Sequence, residues 1–156
     1  MISRSGDGPR THYGLPHSQL DQQPEDPAIR EDLATRAFSL PGVAEEPSGI
    51  SVPGARALIL SPDVALGPPS AFMVGREFAH LHPGPDLSLH MTLPEQTAEE
   101  ALAAGWGELH PLAREGRVPR TVVMVYAPRD RAELEAVWAL VQASHDFARG
   151  SPEVQR

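Results

Sequence analysis

Polar and apolar positions alternate most clearly over residues 87–93, LSLHMTL. There Leu87, Leu89, Met91 and Leu93 fall on one side, and Ser88, His90 and Thr92 on the other. A period of two is the mark of a half-buried strand. The stretch before it, residues 71–82, AFMVGREFAHLH, reads as a partner strand, and Pro83-Gly84-Pro85-Asp86 reads as the turn between them. Further strands are expected at Gly49 to Val52, Arg56 to Leu60 and Thr121 to Tyr126, with Pro53-Gly54 as a turn.

Three segments carry helical spacing. In the first, Pro27 to Leu40, Ile29, Leu33, Ala37 and Leu40 make one stripe, and Pro41-Gly42 stops it. Thr97-x-x-Glu100 has the form of a capping box for a second helix ending at Gly105. Asp130-x-x-Glu133 opens the third, whose stripe is Leu134, Val137, Trp138, Val141, His145 and Ala148, with Gly150 as the stop. Residues 105–119 read as loop. The order predicts an α+β domain, a mostly antiparallel sheet of about four to five strands with helices packed on it.

Length allows one domain: 156 residues. Residues 1–27 hold Gly, Ser, Pro, Asp and Gln in no periodic pattern, so a flexible arm is expected there. The folded domain is expected over 28–150, with 151–156 as a tail. His12 and His17 fall in the arm, and no specific role is expected of them. Formal charge is −8, a poor basis for binding nucleic acid or anionic membrane. No apolar run approaches the ~20 residues that span a bilayer, and the first residues lack a signal-like apolar stretch, so a cytoplasmic protein is expected. Cysteine is absent, which removes disulfides, thiol nucleophiles and Cys-ligated metals. Lysine is absent too, which removes Schiff-base chemistry. There is no Gly-rich phosphate loop, no G-x-S-x-G elbow and no H-E-x-x-H.

The candidate chemistry is histidine. With the turn at Pro83 to Leu87, His82 lies opposite Ser88, His80 opposite His90, and Phe78 opposite Thr92. Strict alternation then puts Arg76, His80, His82 and His90 on one face and Glu77 on the other, unless a bulge near Gly75 intervenes. Opposed Cβ atoms are ~5 Å apart, so three imidazoles converge. Such a set can hold a divalent metal through His80, His82 and His90. It can also act without metal as base and hydrogen-bond donors, or be structural. Trp106, between Gly105 and Gly107, is either an aromatic wall beside Glu108 and His110 or a core plug. His145 reads as a core histidine, and Asp130 as a cap.

Taken together, Arg76-Glu77-Phe78-Ala79-His80-Leu81-His82, Ser88-Leu89-His90, Gly105-Trp106-Gly107, His110-Pro111-Leu112-Ala113 and Tyr126-Ala127-Pro128-Arg129 resemble the fungal luciferase domain family. The likeness runs from about Ala71 to Phe147. It implies an enzyme that adds molecular oxygen to an enolisable hydroxypyrone or polyphenol-like molecule, as 3-hydroxyhispidin is in the fungal enzymes. It implies no organic cofactor, with oxygen as co-substrate. Mapped by position, it implies His80, His90, Arg76 and Glu77 as catalytic, and His82, Trp106, His110 and Glu108 as substrate-binding. The Arg-only basic set suggests a short bacterial relative, without the membrane-associated segment of the fungal enzymes. The rival expectations are a three-His metal enzyme, hydrolase or oxygenase, and a non-catalytic small-molecule-binding domain.

Overall fold

A computed structural model describes residues 1–150, so the expected tail 151–156 lies outside the described residues. In chain order the elements begin with β1 (Thr11–His12), β2 (Ser18–Gln19), α1 (Pro27–Phe38), β3 (Val43–Pro47) and β4 (Arg56–Leu60). A short 3-10 turn at Pro69–Ala71 leads to β5 (Glu77–Leu81), β6 (Leu89–Thr92) and α2 (Glu95–Ala103). The chain continues with β7 (Gly107–Leu109), α3 (Pro111–Arg114), β8 (Val122–Val125) and α4 (Arg131–Arg149). Strands β3-β4-β5-β6-β8-β7 form one sheet in that order, every pair antiparallel, and β1 and β2 form a separate ribbon.

This is an α+β fold. The main sheet has six strands rather than four or five. Gly49 to Val52 is not a strand: Ser48 Oγ accepts from Ile50 N and Ser51 N, and this local bonding turns the chain. The strand lies just before it, in β3, whose Glu45, Glu46 and Pro47 are exposed. An edge strand with charges and a proline has no apolar alternation to read, because such residues keep a sheet edge from pairing further. The second strand missed in the sequence is β7. It can lie against β8 because Gly107 has no side chain: a Cβ there would stand 2.1 Å from the Met124 carbonyl oxygen.

The apolar positions of the hairpin, Ala79, Leu81, Leu89, Met91 and Leu93, share one core with Leu134, Val137, Leu140 and Val141 of α4. Helix α4 is the amphipathic helix expected. Asp130 accepts from Glu133 N at 2.8 Å, and Gly150 ends the helix at φ 77°. Glu133 does not close the box on Asp130; it accepts from the backbone and guanidinium of Arg129. Helix α2 departs from expectation. It starts at Glu95 after Pro94 with no side-chain cap, so Thr97 lies inside it.

Residues 1–27 lie against the domain. Arg4 N donates to Ala104 O at 2.8 Å, Trp106 Nε1 to Ile2 O at 2.7 Å, and Ala127 N to Gln19 Oε1 at 2.9 Å. The partners in the domain are two backbone groups and the Trp106 indole, and this docking needs no apolar periodicity in the segment itself.

Candidate functional site

The hairpin β5–β6 has the expected register. His80 pairs with His90, Ala79 with Met91 and Leu81 with Leu89, while His82 N donates to Ser88 O. Even positions of β6 therefore turn away from the α4 core. His80, His82 and His90 meet there, with ring centroids 5.2 Å apart for His80–His90, 5.1 Å for His80–His82 and 4.7 Å for His82–His90. All three are buried. Arg30 of α1 pins the turn from outside, donating to His82 O at 2.7 Å.

One bulge decides the next two residues. Leu58 pairs with Ala79 but Ile59 with Glu77, which leaves Phe78 as an extra residue in β5. An extra residue inverts the alternation beyond it. Glu77 thus joins the histidine face, where its Oε2 accepts from His80 Nδ1 at 2.8 Å. Ser48 Oγ and Gly49 N also donate to this carboxylate, at 2.7 and 2.9 Å. Arg76 is displaced from the face on which alternation puts it. Its guanidinium donates to the carbonyls of Leu60, Ser61 and Val64, and it is a loop brace, away from the imidazoles.

Two more imidazoles complete the cluster. His110 caps α3, its Nδ1 accepting from Leu112 N at 3.1 Å, and its ring centroid lies 5.0 Å from that of His90. His17 comes from the N-terminal segment, where no role was expected of it. It is buried, bonds His90 Nε2 through Nδ1 at 2.8 Å, and bonds Glu108 Oε2 through Nε2 at 2.7 Å. No local pattern could have found it, because its partners are 73 and 91 residues away. Ser88 was also missed as a site residue, although its place opposite His82 was legible. Its Oγ donates to Asp86 Oδ1 at 2.7 Å and lies 3.0 Å from His82 Nδ1.

Glu108 sits behind the cluster, held by His17, by Tyr126 OH at 3.0 Å and by Thr11 Oγ1 at 3.1 Å. Trp106 is the core plug of the two readings. It is 4 % exposed, packs in the hydrophobic core and does not line the cavity. His145 is a buried core residue with Nε2 2.8 Å from Pro41 O.

The electrostatics follow from burial and proximity. Burial, then the neighbouring imidazoles, push His82 down to about 3 and His110 down to about 4, and hold His90 well below the ordinary histidine range. Burial alone would raise Glu77 and Glu108, but the hydrogen bonds they accept outweigh it, and both lie below the ordinary range. At neutral pH His82, His90 and His110 are therefore neutral, and Glu77 and Glu108 ionised. Two groups bring their ligand atoms within 4.8 Å of one another, as metal binding requires: His80–His82–His90 and His17–His90–His110.

All five imidazoles line a cavity of about 710 Å³. Its remaining walls are mostly apolar and include Leu15, Ile50, Val52, Phe72, Met73 and Val118. A second depression, between Pro68, Pro94 and Phe147, contains no histidine. Among the described residues no helix is long and apolar enough to cross a membrane.

Residues 75–144, the segment that carries the hairpin and every imidazole of the cluster but His17, match the Luciferase domain family. Over that segment the chain is similar to the luciferase family. It is 30% identical to a protein named luciferase from Armillaria ostoyae, over 96% of this chain and 61% of that relative. A luciferase from Neonothopanus nambi is 34% identical over 63% of this chain and 40% of its own length. The chain thus spans about three fifths of the length of the Armillaria ostoyae relative. No solved structure matches it. The match to the Armillaria ostoyae luciferase extends well beyond the hairpin, over nearly the whole luciferase-like chain.

Proposed function

We propose that this luciferase-like chain is an oxidoreductase that adds molecular oxygen to an enolisable, largely apolar ring compound of the hydroxypyrone or polyphenol type. The observation that carries this reading is the imidazole cluster on one wall of an otherwise apolar cavity of drug-sized volume. Apolar walls suit a planar ring. The imidazoles supply a basic spot where an enol hydroxyl loses its proton. The enolate then passes one electron to oxygen, and the resulting radical pair closes a carbon–oxygen bond to give a peroxide anion. The proton taken by the imidazole returns to that anion, so the step consumes one substrate and one oxygen and needs no external reductant. The luciferase names of the relatives favour a peroxide whose breakdown emits light.

Arg76 and Trp106 have no part in this reading, because neither reaches the cavity. His110, with its Nδ1 occupied by Leu112 N, presents Nε2–H as a donor to developing charge. Oxygen uptake and photon emission with 3-hydroxyhispidin, on wild type and His80→Ala, test the proposal. Uptake that falls about 100-fold or more in the variant is the expected result, in line with loss of a general base. Wild-type protein, folded by circular dichroism, that binds the compound and consumes no oxygen would overturn it.

A further inference from the structure

We infer that His80, His82 and His90 form a binding site for one divalent first-row transition-metal ion. The inference goes beyond the oxygen chemistry above and stands without it; it draws on the same lone pairs, so the base of that reading belongs to the metal-free site.

Each of the three rings has one nitrogen committed to an anchored acceptor. His80 Nδ1 faces the Glu77 carboxylate at 2.8 Å, so it carries the proton and Nε2 is bare. His82 Nδ1 faces Ser88 Oγ at 3.0 Å. The single hydroxyl hydrogen of Ser88 goes to Asp86, so Nδ1 is the donor and His82 Nε2 is bare. His17 gives its Nε2 proton to Glu108 at 2.7 Å, which leaves its Nδ1 as an acceptor. His90 must then donate through Nε2 to His17 at 2.8 Å, and His90 Nδ1 is bare as well.

Three bare nitrogens therefore face one another. His90 Nδ1 lies 3.2 Å from His80 Nε2 and 2.9 Å from His82 Nε2. With one proton on each ring, placed as these contacts direct, none is left to bridge either gap. Lone pairs so placed repel unless a cation lies between them. Imidazole nitrogens bound to one ion at ~2.0–2.1 Å stand roughly 2.9 Å apart at a right angle and roughly 3.4 Å apart at the tetrahedral angle, and the two gaps lie within that span. The outer nitrogens end on carboxylates in all three cases: Glu77 directly, Asp86 through Ser88, and Glu108 through His17. Such carboxylate-anchored histidines are the usual support of a metal ligand, because the outer bond sets the tautomer and aims the ring.

The alternative group, His17–His90–His110, fails the same count. His17 Nδ1 takes the His90 proton, and His110 Nδ1 takes that of Leu112 N. Three neutral nitrogen ligands select a transition metal such as zinc, iron, nickel or copper over magnesium or calcium, which prefer oxygen. The ligands line the cavity, so the remaining coordination positions open toward it.

The test is calorimetric titration of Zn²⁺ into the full chain, expressed without a histidine tag and stripped with chelator. One ion per chain is expected, with binding lost in His82→Ala, retained within about twofold in His110→Ala, and weakened about 10–100-fold in Glu77→Gln. Absence of stoichiometric binding to folded wild type would overturn the inference. So would loss of binding in His110→Ala, or unchanged affinity in Glu77→Gln or His82→Ala. X-ray absorption of the zinc-loaded wild type decides independently of whether a variant folds: three imidazoles in the first shell support the site, and fewer overturn it.

Discussion

Glu77 and Arg76 exchange roles through one inserted residue, and each has a measurable consequence. Arg76 braces three backbone carbonyls of the segment after β4, so Arg76→Ala leaves those acceptors short of a charged donor. A loss of about 1–3 kcal/mol in urea unfolding is expected, with zinc affinity retained. His145 gives a pH prediction. Burial holds it below the ordinary histidine value; Arg149 acts in the same sense, while the bond to Pro41 and the charge of Asp146 oppose them. The unfolded chain therefore binds a proton at His145 near pH 6.5 that the folded chain refuses. Its contribution to stability is complete above that pH and declines as the pH falls below it, by at most about 1.4 kcal/mol per pH unit. Replacing His145 by Gln should flatten the fall in denaturant midpoint between pH 7 and 5; an unchanged slope would contradict the assignment.

At the scale of elements, α4 and the hairpin were legible because each carries its own period and its own stop signal. Asp130 caps α4 with a short bond, and Asp130→Ala should cost about 1 kcal/mol in thermal unfolding. The short strand β7 was not legible, since three residues show no period. Its requirement is steric and appears only beside β8. Gly107→Ala would drive a methyl group into the Met124 carbonyl, so β7 must part from β8 or shift. A loss well beyond that of the α4 cap variant is expected, together with altered exchange of the Tyr126 amide, which donates to Trp106 O. The edge strand β3 escaped for the opposite reason. Its polar residues suit an exposed sheet border and mimic a loop.

Across the whole molecule, the N-terminal segment contributes to the site as well as covering the fold. It supplies His17 to the imidazole cluster and Thr11 to Glu108, and Leu15 and Pro16 to the cavity wall. Hydrogen exchange on the full chain tests this docking. The amides of Arg4 and Leu20, bonded to Ala104 O and Arg10 O, should exchange slowly alongside Ala127 N, whose acceptor is Gln19. Exchange at unprotected rates in all three would mean that the segment does not stay docked. His17→Ala carries the same dependence into the site, because it leaves His90 Nε2 without a partner and removes one of the three groups that hold Glu108; a stability loss of about 1–3 kcal/mol is expected.

What this sequence determines by itself is local. Alternation over residues 87–93 and a turn of fixed length set the His80–His90 register, and helical spacing with Asp130 and Gly150 bounded α4. These follow from periods and caps that act over a few residues. The tertiary structure decided the rest. A bulge against β4 put Glu77, not Arg76, beside the imidazoles. A helix and a core packed around Trp106 and withdrew it from the cavity. Contacts 73 and 91 residues apart brought His17 between His90 and Glu108. Burial against distant partners, which no local pattern encodes, made these groups one site.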